Sequence, residues 1–167
     1  VNRDTVANVL IARVIVREGG VGDANDGKGI TRWGQTSDWL DDFGLPVPQN
    51  ATDAARNYRL WLDKTGLIDV CAEPDALADA VIDFAVNSGH VQAVKVLQRA
   101  LRVTSDGVLG PKTTAALAAC DRAVMAKRVL AGRIQFLGEI ITAKPQKHAR
   151  QAKGWMRRLA AQIEDLP

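Results

Sequence analysis

The 167-residue chain is poor in the residues that hold metals and in the runs that cross membranes. Its only histidines are His90 and His148, and its only cysteines are Cys71 and Cys120. No Cys/His cluster can be built from so few, so a metal site of the zinc type is not expected. Cys71 and Cys120 read as two reduced, partly buried thiols, and sequence alone leaves their pairing open. No segment approaches 18 uncharged apolar residues, which excludes a membrane-spanning helix from the expectations. The apolar start, VNRDTVANVLIARVIVREGG, is interrupted by Arg13 and Arg17. No small-residue cleavage site follows a basic start, so no secretory signal is read. Internal repeats and low-complexity runs are also missing.

What remains is ordinary for a globular protein: 47% hydrophobic and 25% charged residues. The length suits one domain with a real core. Charge is unevenly placed. Residues 1–90 hold 8 Lys/Arg against 14 Asp/Glu, and residues 91–167 hold 14 against 5. An acidic front and a basic back point to an anionic partner for the back half, such as nucleic acid, a membrane surface or a cell wall. The concentration is greatest in residues 144–158. Lys144, Lys147, Arg150, Lys153, Arg157 and Arg158 occur there without an acid. That segment reads either as a solvated face or as a surface drawn to anionic wall polymer or outer-membrane lipid.

Apolar spacing predicts helices along most of the chain. Val6, Leu10 and Val14, four apart, mark a mostly buried helix over about residues 3–17, stopped by Gly19 and Gly20. Residues 20–36 are glycine-rich and aperiodic, a loop or small hairpin. SDWLDDFG is a short helix and LPVPQN a connector. ATDAARNYRLWLDKTG carries a Thr–Asp cap signal and ends at Gly66. EPDALADAVIDFAVNSG ends at Gly89, and VQAVKVLQRALRV follows as another helix. In SDGVLGPKT, Asp–Gly makes a turn and Pro111 opens the next helix. Residues 112 to about 141 read as helix, with a break placed near Gly132, and a last helix follows AKPQ. The sum is an all-α domain of seven or eight helices with a minimal hairpin or loop near residues 20–36.

One stretch carries chemistry: VREGGVGDANDGKGITRWGQT. A buried helix ends on an acid, Glu18, and a polar loop follows. The C-terminal end of a helix is electronegative, and apolar neighbours disfavour charge, so Glu18 is expected to keep its proton more readily than a free glutamate. Such a group serves as a general acid. Asp26 and Thr31 follow within a loop that can fold back onto Glu18. They suit the second task of glycoside hydrolysis, holding a water for attack, with carboxyls roughly 6.5–9.5 Å apart when no covalent step intervenes. Asp23 is the rival to Asp26, and also a natural turn-former. Trp33, Tyr58 and Asn87 are candidate substrate contacts, the aromatics by stacking on sugar and Asn87 by bonding an N-acetyl group. The alternatives are packing for Trp33 and Tyr58 and capping for Asn87.

The same stretch resembles the signature of glycoside hydrolase family 108, the N-acetylmuramidases common among phage endolysins. That signature reads E-G-G, then D-x-G-G-x-T-x-(Y/W)-G-(I/V)-T. Glu18, Gly19, Gly20, Asp26, Gly27, Gly29, Thr31, Trp33, Gly34 and Thr36 fall on it in order, and Lys28, Ile30 and Gln35 depart from it. NYRLW, DFAVNSG, VLQRALRVTSDGVLGPKTTAAL and GWMRR are similar to further blocks of these proteins, the third to their peptidoglycan-binding part. The likeness covers about residues 9–160.

The resemblance implies a lysozyme-like fold that cleaves the β-1,4 bond between N-acetylmuramic acid and N-acetylglucosamine. Glu18 would be the general acid, and Asp26 and Thr31 would position water. Residues 1–90 would form a catalytic segment and residues 91–167 a peptidoglycan-binding-like segment, sharing one core as a single domain. Bacterial peptidoglycan is the expected partner, with no cofactor, no metal and no nucleic acid, and the chain is expected to be a monomer. The family implies residence in the host cytoplasm until release to the wall. The alternatives are a lytic transglycosylase acting on the same bond and a non-catalytic wall-binding module. A basic helical nucleic-acid binder is a third, without a motif to support it.

Overall fold

A computed structural model of the protein describes residues 2–19, 21–23 and 30–167; for residues 20–30, nothing beyond the backbone of 21–23 and 30 is described. Among them are eight α-helices and one short antiparallel ribbon, an all-α architecture. The chain divides into two compact units, Val1–Pro74 and Asp75–Pro167. Both cysteines are free thiols, and no helix among the described residues is long and apolar enough to cross a membrane.

In the first unit, α1 (Arg3–Glu18) starts where the Asn2 side chain accepts the Asp4 N–H at 3.0 Å, satisfying one of the open donors of the first turn. It buries Val6, Ala7, Leu10, Ile11 and Val14, a stripe at helical spacing. Val9 and Val16 stay 41% and 81% exposed, so the apolar face is narrower than the sequence suggests. Strands β1 (Val21–Asp23) and β2 (Ile30–Arg32) pair with Gly22 opposite Thr31. Helix α2 (Ser37–Phe43) is capped by Thr36. Helix α3 (Ala51–Thr65) is capped by Asn50, two residues ahead of the Thr–Asp signal, and ends at Gly66 with φ +74°. A 3-10 turn, Leu67–Val70, buries Leu67, Ile68 and Val70. Packing of α1 on α3 is rimmed by the Arg59–Asp4 and Arg3–Asp69 ion pairs, both 2.7 Å. These are exposed and contribute at most about 1 kcal/mol each.

The second unit is built around α4 (Ala76–Ser88). Every residue from Leu77 to Ala85 is buried, as expected for a helix surrounded on all sides. Helices α5 (His90–Leu101), α7 (Arg122–Ala143) and α8 (Pro145–Glu164) pack on it, and α6 (Pro111–Ala118) packs on α5. Asp75 caps α4 through the Ala78 N–H and also pairs with Arg122. At the centre, Asp83 accepts from Arg133 Nη1 at 2.7 Å and from Arg158 Nη1 at 3.1 Å. Gln162 joins them, accepting from Arg133 at 2.9 Å and donating to Asp79 at 3.0 Å.

The Asp–Gly turn between α5 and α6 is tied down by buried Gln98. Its amide donates to Asp106, Val108 O and Thr113, and its carbonyl accepts the Gly107 N–H. Bonds from the Val108 N–H, and then from Gln98, hold the Asp106 carboxyl below the usual carboxylate range. The expected helix break near Gly132 is not found. The chain breaks at residues 119–121 instead, and α7 runs on through Gly132. Glycine there serves close packing: a Cβ would lie 2.7 Å from Val96 Cγ1.

Candidate active site

Glu18 is the last residue of α1, half-buried, and the chain leaves it through Gly19 at φ +71°, ψ −168°. That conformation is open essentially to glycine alone. Across from Glu18, β2 ends in a two-residue turn, Trp33–Gly34, closed by Arg32 N–H to Gln35 O at 3.1 Å and Gln35 N–H to Arg32 O at 2.9 Å. Both turn residues have positive φ, +48° and +78°, the requirement of a type I′ hairpin turn. Gly34 suits its place. Trp33 does not, and holding it there costs about 1–3 kcal/mol.

The Tyr58 hydroxyl supplies part of the compensation. It donates to Trp33 O at 2.8 Å from α3, with the tyrosine only 3% exposed. Such a bond contributes roughly 0.5–1.5 kcal/mol. Beneath it, Tyr58 packs against Trp39 and Trp61, with ring centroids 5.6 and 6.2 Å away. Gln35 is fully buried and donates to Ala54 O at 2.8 Å, while Asn57 donates to Gln35 at 2.9 Å and to Pro46 O at 2.8 Å. The turn is therefore clamped to α3 from two sides.

These elements converge on one point. A Cβ on Gly34 would stand 2.8 Å from Glu18 Cγ, 3.0 Å from Glu18 Oε2 and 2.8 Å from Tyr58 Oη. The carboxyl of Glu18 thus rests on the bare face of Gly34, beside the phenol. Thr31 is half-buried on β2, opposite Gly22, which brings no side chain across the ribbon. Asp26 lies outside the described residues, as does the side chain of its rival Asp23.

Of the candidate substrate contacts, Trp33 is half-buried on the turn itself and Tyr58 lies under it. Asn87 belongs to the second unit, where its amide donates to Asp83 O at 2.8 Å, one turn back in α4. The basic segment also divides. Lys144, Lys147, Arg150, Lys153 and Arg157 are exposed, whereas Arg158 turns inward to Asp83. Gly34, which falls on the family signature, carries the site's geometry together with Gln35, which departs from it, and Asn57, which opens the NYRLW block; none of the three is among the candidate site residues read from sequence.

The fold and the site define an all-α protein with a half-buried glutamate on a glycine turn. Residues 92–160 match the model of a family described as "Predicted Peptidoglycan domain", which spans α5 to α8. Among solved structures, SagA of Brucella abortus is similar to this chain at 27% identity and a TM-score of 0.75, over 96% of this chain and 92% of that one. No curated protein matches.

Proposed function

We infer that the protein is a peptidoglycan hydrolase, an N-acetylmuramidase of the glycoside hydrolase 108 type, cutting the β-1,4 bond between N-acetylmuramic acid and N-acetylglucosamine. The observation that carries this reading is the seat of Glu18: a half-buried carboxyl at a helix end, laid against a glycine turn that Tyr58 pins. The peptidoglycan family matched over residues 92–160 supports the same substrate class.

In the proposed reaction Glu18 gives its proton to the glycosidic oxygen, and positive charge develops on the sugar ring. Water held by Asp26 and Thr31 attacks the opposite face, and inversion at the anomeric carbon is the expected course. Trp33, on the rim, offers an aromatic face to the glycan. The exposed basic residues of α8 draw the protein to an anionic wall or outer-membrane surface, an attraction that salt weakens.

Mass spectrometry of digested peptidoglycan tests substrate, bond and reaction together. Hydrolysis adds one water per cut, whereas a lytic transglycosylase leaves an anhydro ring. Glu18→Gln should lower wall clearing by about 10²–10⁴-fold, the usual worth of a positioned general acid. Full clearing by that variant removes Glu18 from its role, and anhydro products move the protein to the transglycosylase class.

A further inference from the structure

A groove runs along the seam of α5 and α7 in the second unit. One cavity of about 370 Å³ is lined by Arg99, Arg102 and Arg128, and a second of about 280 Å³ by Gln92, Gln135 and Glu139. Both include Arg99, Gly132 and Gln135, so the two form one depression. Its floor is the close approach of the helices at Gly132 and Val96. Residues 128–139 of α7 span about 16 Å at 1.5 Å per residue.

The groove has a polarity. Arg102 and Arg128 line only the first cavity and Arg99 lines both, and none of the three pairs with a carboxylate among the described residues. Arg99 donates weakly to Ser105 at 3.4 Å and Arg128 to Ala100 O at 3.3 Å, which leaves most of their donors to solvent. Arg102 sits at φ +60°, ending α5 at the groove's edge. Gln135 also lines both cavities, and Gln92 and the Glu139 carboxylate line only the second. A uniform polyanion such as nucleic acid would meet repulsion at Glu139. A short chain that carries several carboxylates and one free amine fits throughout, because guanidinium forks grip carboxylates in pairs.

We propose that this groove holds the stem peptide of peptidoglycan, its carboxylates on Arg99, Arg102 and Arg128 and its free amine on Glu139. The assignment rests on the peptidoglycan reading above and gives the second unit its own contact with that substrate. The whole groove lies within the residues that match the peptidoglycan family.

The test is titration calorimetry of the full chain, carrying Glu18→Gln to stop turnover, with a purified disaccharide–tetrapeptide whose carboxylates are free. Arg99→Ala/Arg128→Ala should weaken binding at least tenfold with an unchanged thermal midpoint. Glu139→Gln should weaken it about threefold, and N-acetylglucosamine oligomers without peptide, which enter the cleft of the proposed function, should leave the arginine-dependent part of the binding in place. Equal binding by the double arginine variant overturns the proposal, as does full competition by the peptide-free glycan or tighter binding of a DNA duplex. A wild-type protein that clears walls yet binds no muropeptide sinks the groove and leaves the muramidase standing. Arginine-dependent binding without cleavage does the reverse.

Discussion

Two carboxylates, one in each unit, meet opposite environments. Asp83 is 1% exposed and fixed by the guanidiniums of Arg133 and Arg158. Its pair with Arg133, both side chains at 0% exposure, is embedded further by Gln162 and by the Phe84 ring, 5.3 Å from the Arg133 guanidinium carbon. Glu18 instead ends its helix half-buried, against a turn whose backbone is strained and whose glycine presents no side chain. In the second unit charged and amide groups bond one another across helices and hold those helices in place. In the first, rigidity is spent on holding one acid at a defined place where solvent still reaches.

The largest separation of the two roles comes from neutralising each acid. Asp83→Asn leaves Arg133 buried opposite a group without charge, and breaking such a pair costs about 3–5 kcal/mol. Guanidinium denaturation should show that loss. Glu18→Gln, the variant expected to lower wall clearing by about 10²–10⁴-fold, should shift the same curve by no more than about 0.5 kcal/mol, as for a substitution at a partly exposed side chain. A large stability loss in Glu18→Gln would mean that the acid is a structural member like Asp83, and the contrast would fail.

The next test stays within the first unit and compares two glycines. At Gly34 an added methyl would press on Glu18 and Tyr58 at 2.8 Å. At Gly44 the backbone is also left-handed, φ +60°, but nothing lies within 4 Å. Gly44→Ala should cost about 1 kcal/mol, the backbone term alone. Gly34→Ala adds the clash, for about 1–3 kcal/mol in all, and should also lower wall clearing at least tenfold, since small displacements of a reacting group are expensive. Equal activity in the two variants would show that Glu18 does not need its seat.

These positions also mark what the sequence discloses. Helix α1 is readable because Val6, Leu10 and Val14 repeat on one face, and the turn at residues 106–111 because Asp–Gly and Gly–Pro have few other uses. The seat of Glu18 is not readable from periodicity, because it depends on Tyr58, 40 residues further on. Gly132 misleads for a related reason. Inside a helix, glycine weakens the local propensity, and only the approach of Val96 from α5 shows why it is tolerated. Arg158 looks like its five basic neighbours until α8 is placed on α4 and its partner Asp83 comes into view.

The smallest expected effect sharpens the comparison from the side of pH. His90 opens α5, and burial lowers its pKa below the ordinary 6.5; its place at a helix N-terminus acts in the same direction. The folded protein therefore keeps His90 neutral at a pH where the unfolded chain already binds a proton. Between the folded value and 6.5 the unfolded state carries the extra proton, so stability rises with pH across that window and falls as pH drops through it. Partial exposure keeps the effect small. Between about pH 7.5 and 5.5 the wild type should lose stability more steeply with falling pH than His90→Gln. Because His90 belongs to the second unit, the change should appear in stability while the pH profile of wall clearing, which the proposed reaction assigns to groups of the first unit, keeps its shape. A shift in that profile on replacing His90 would tie the titration of the second unit to the chemistry of the first.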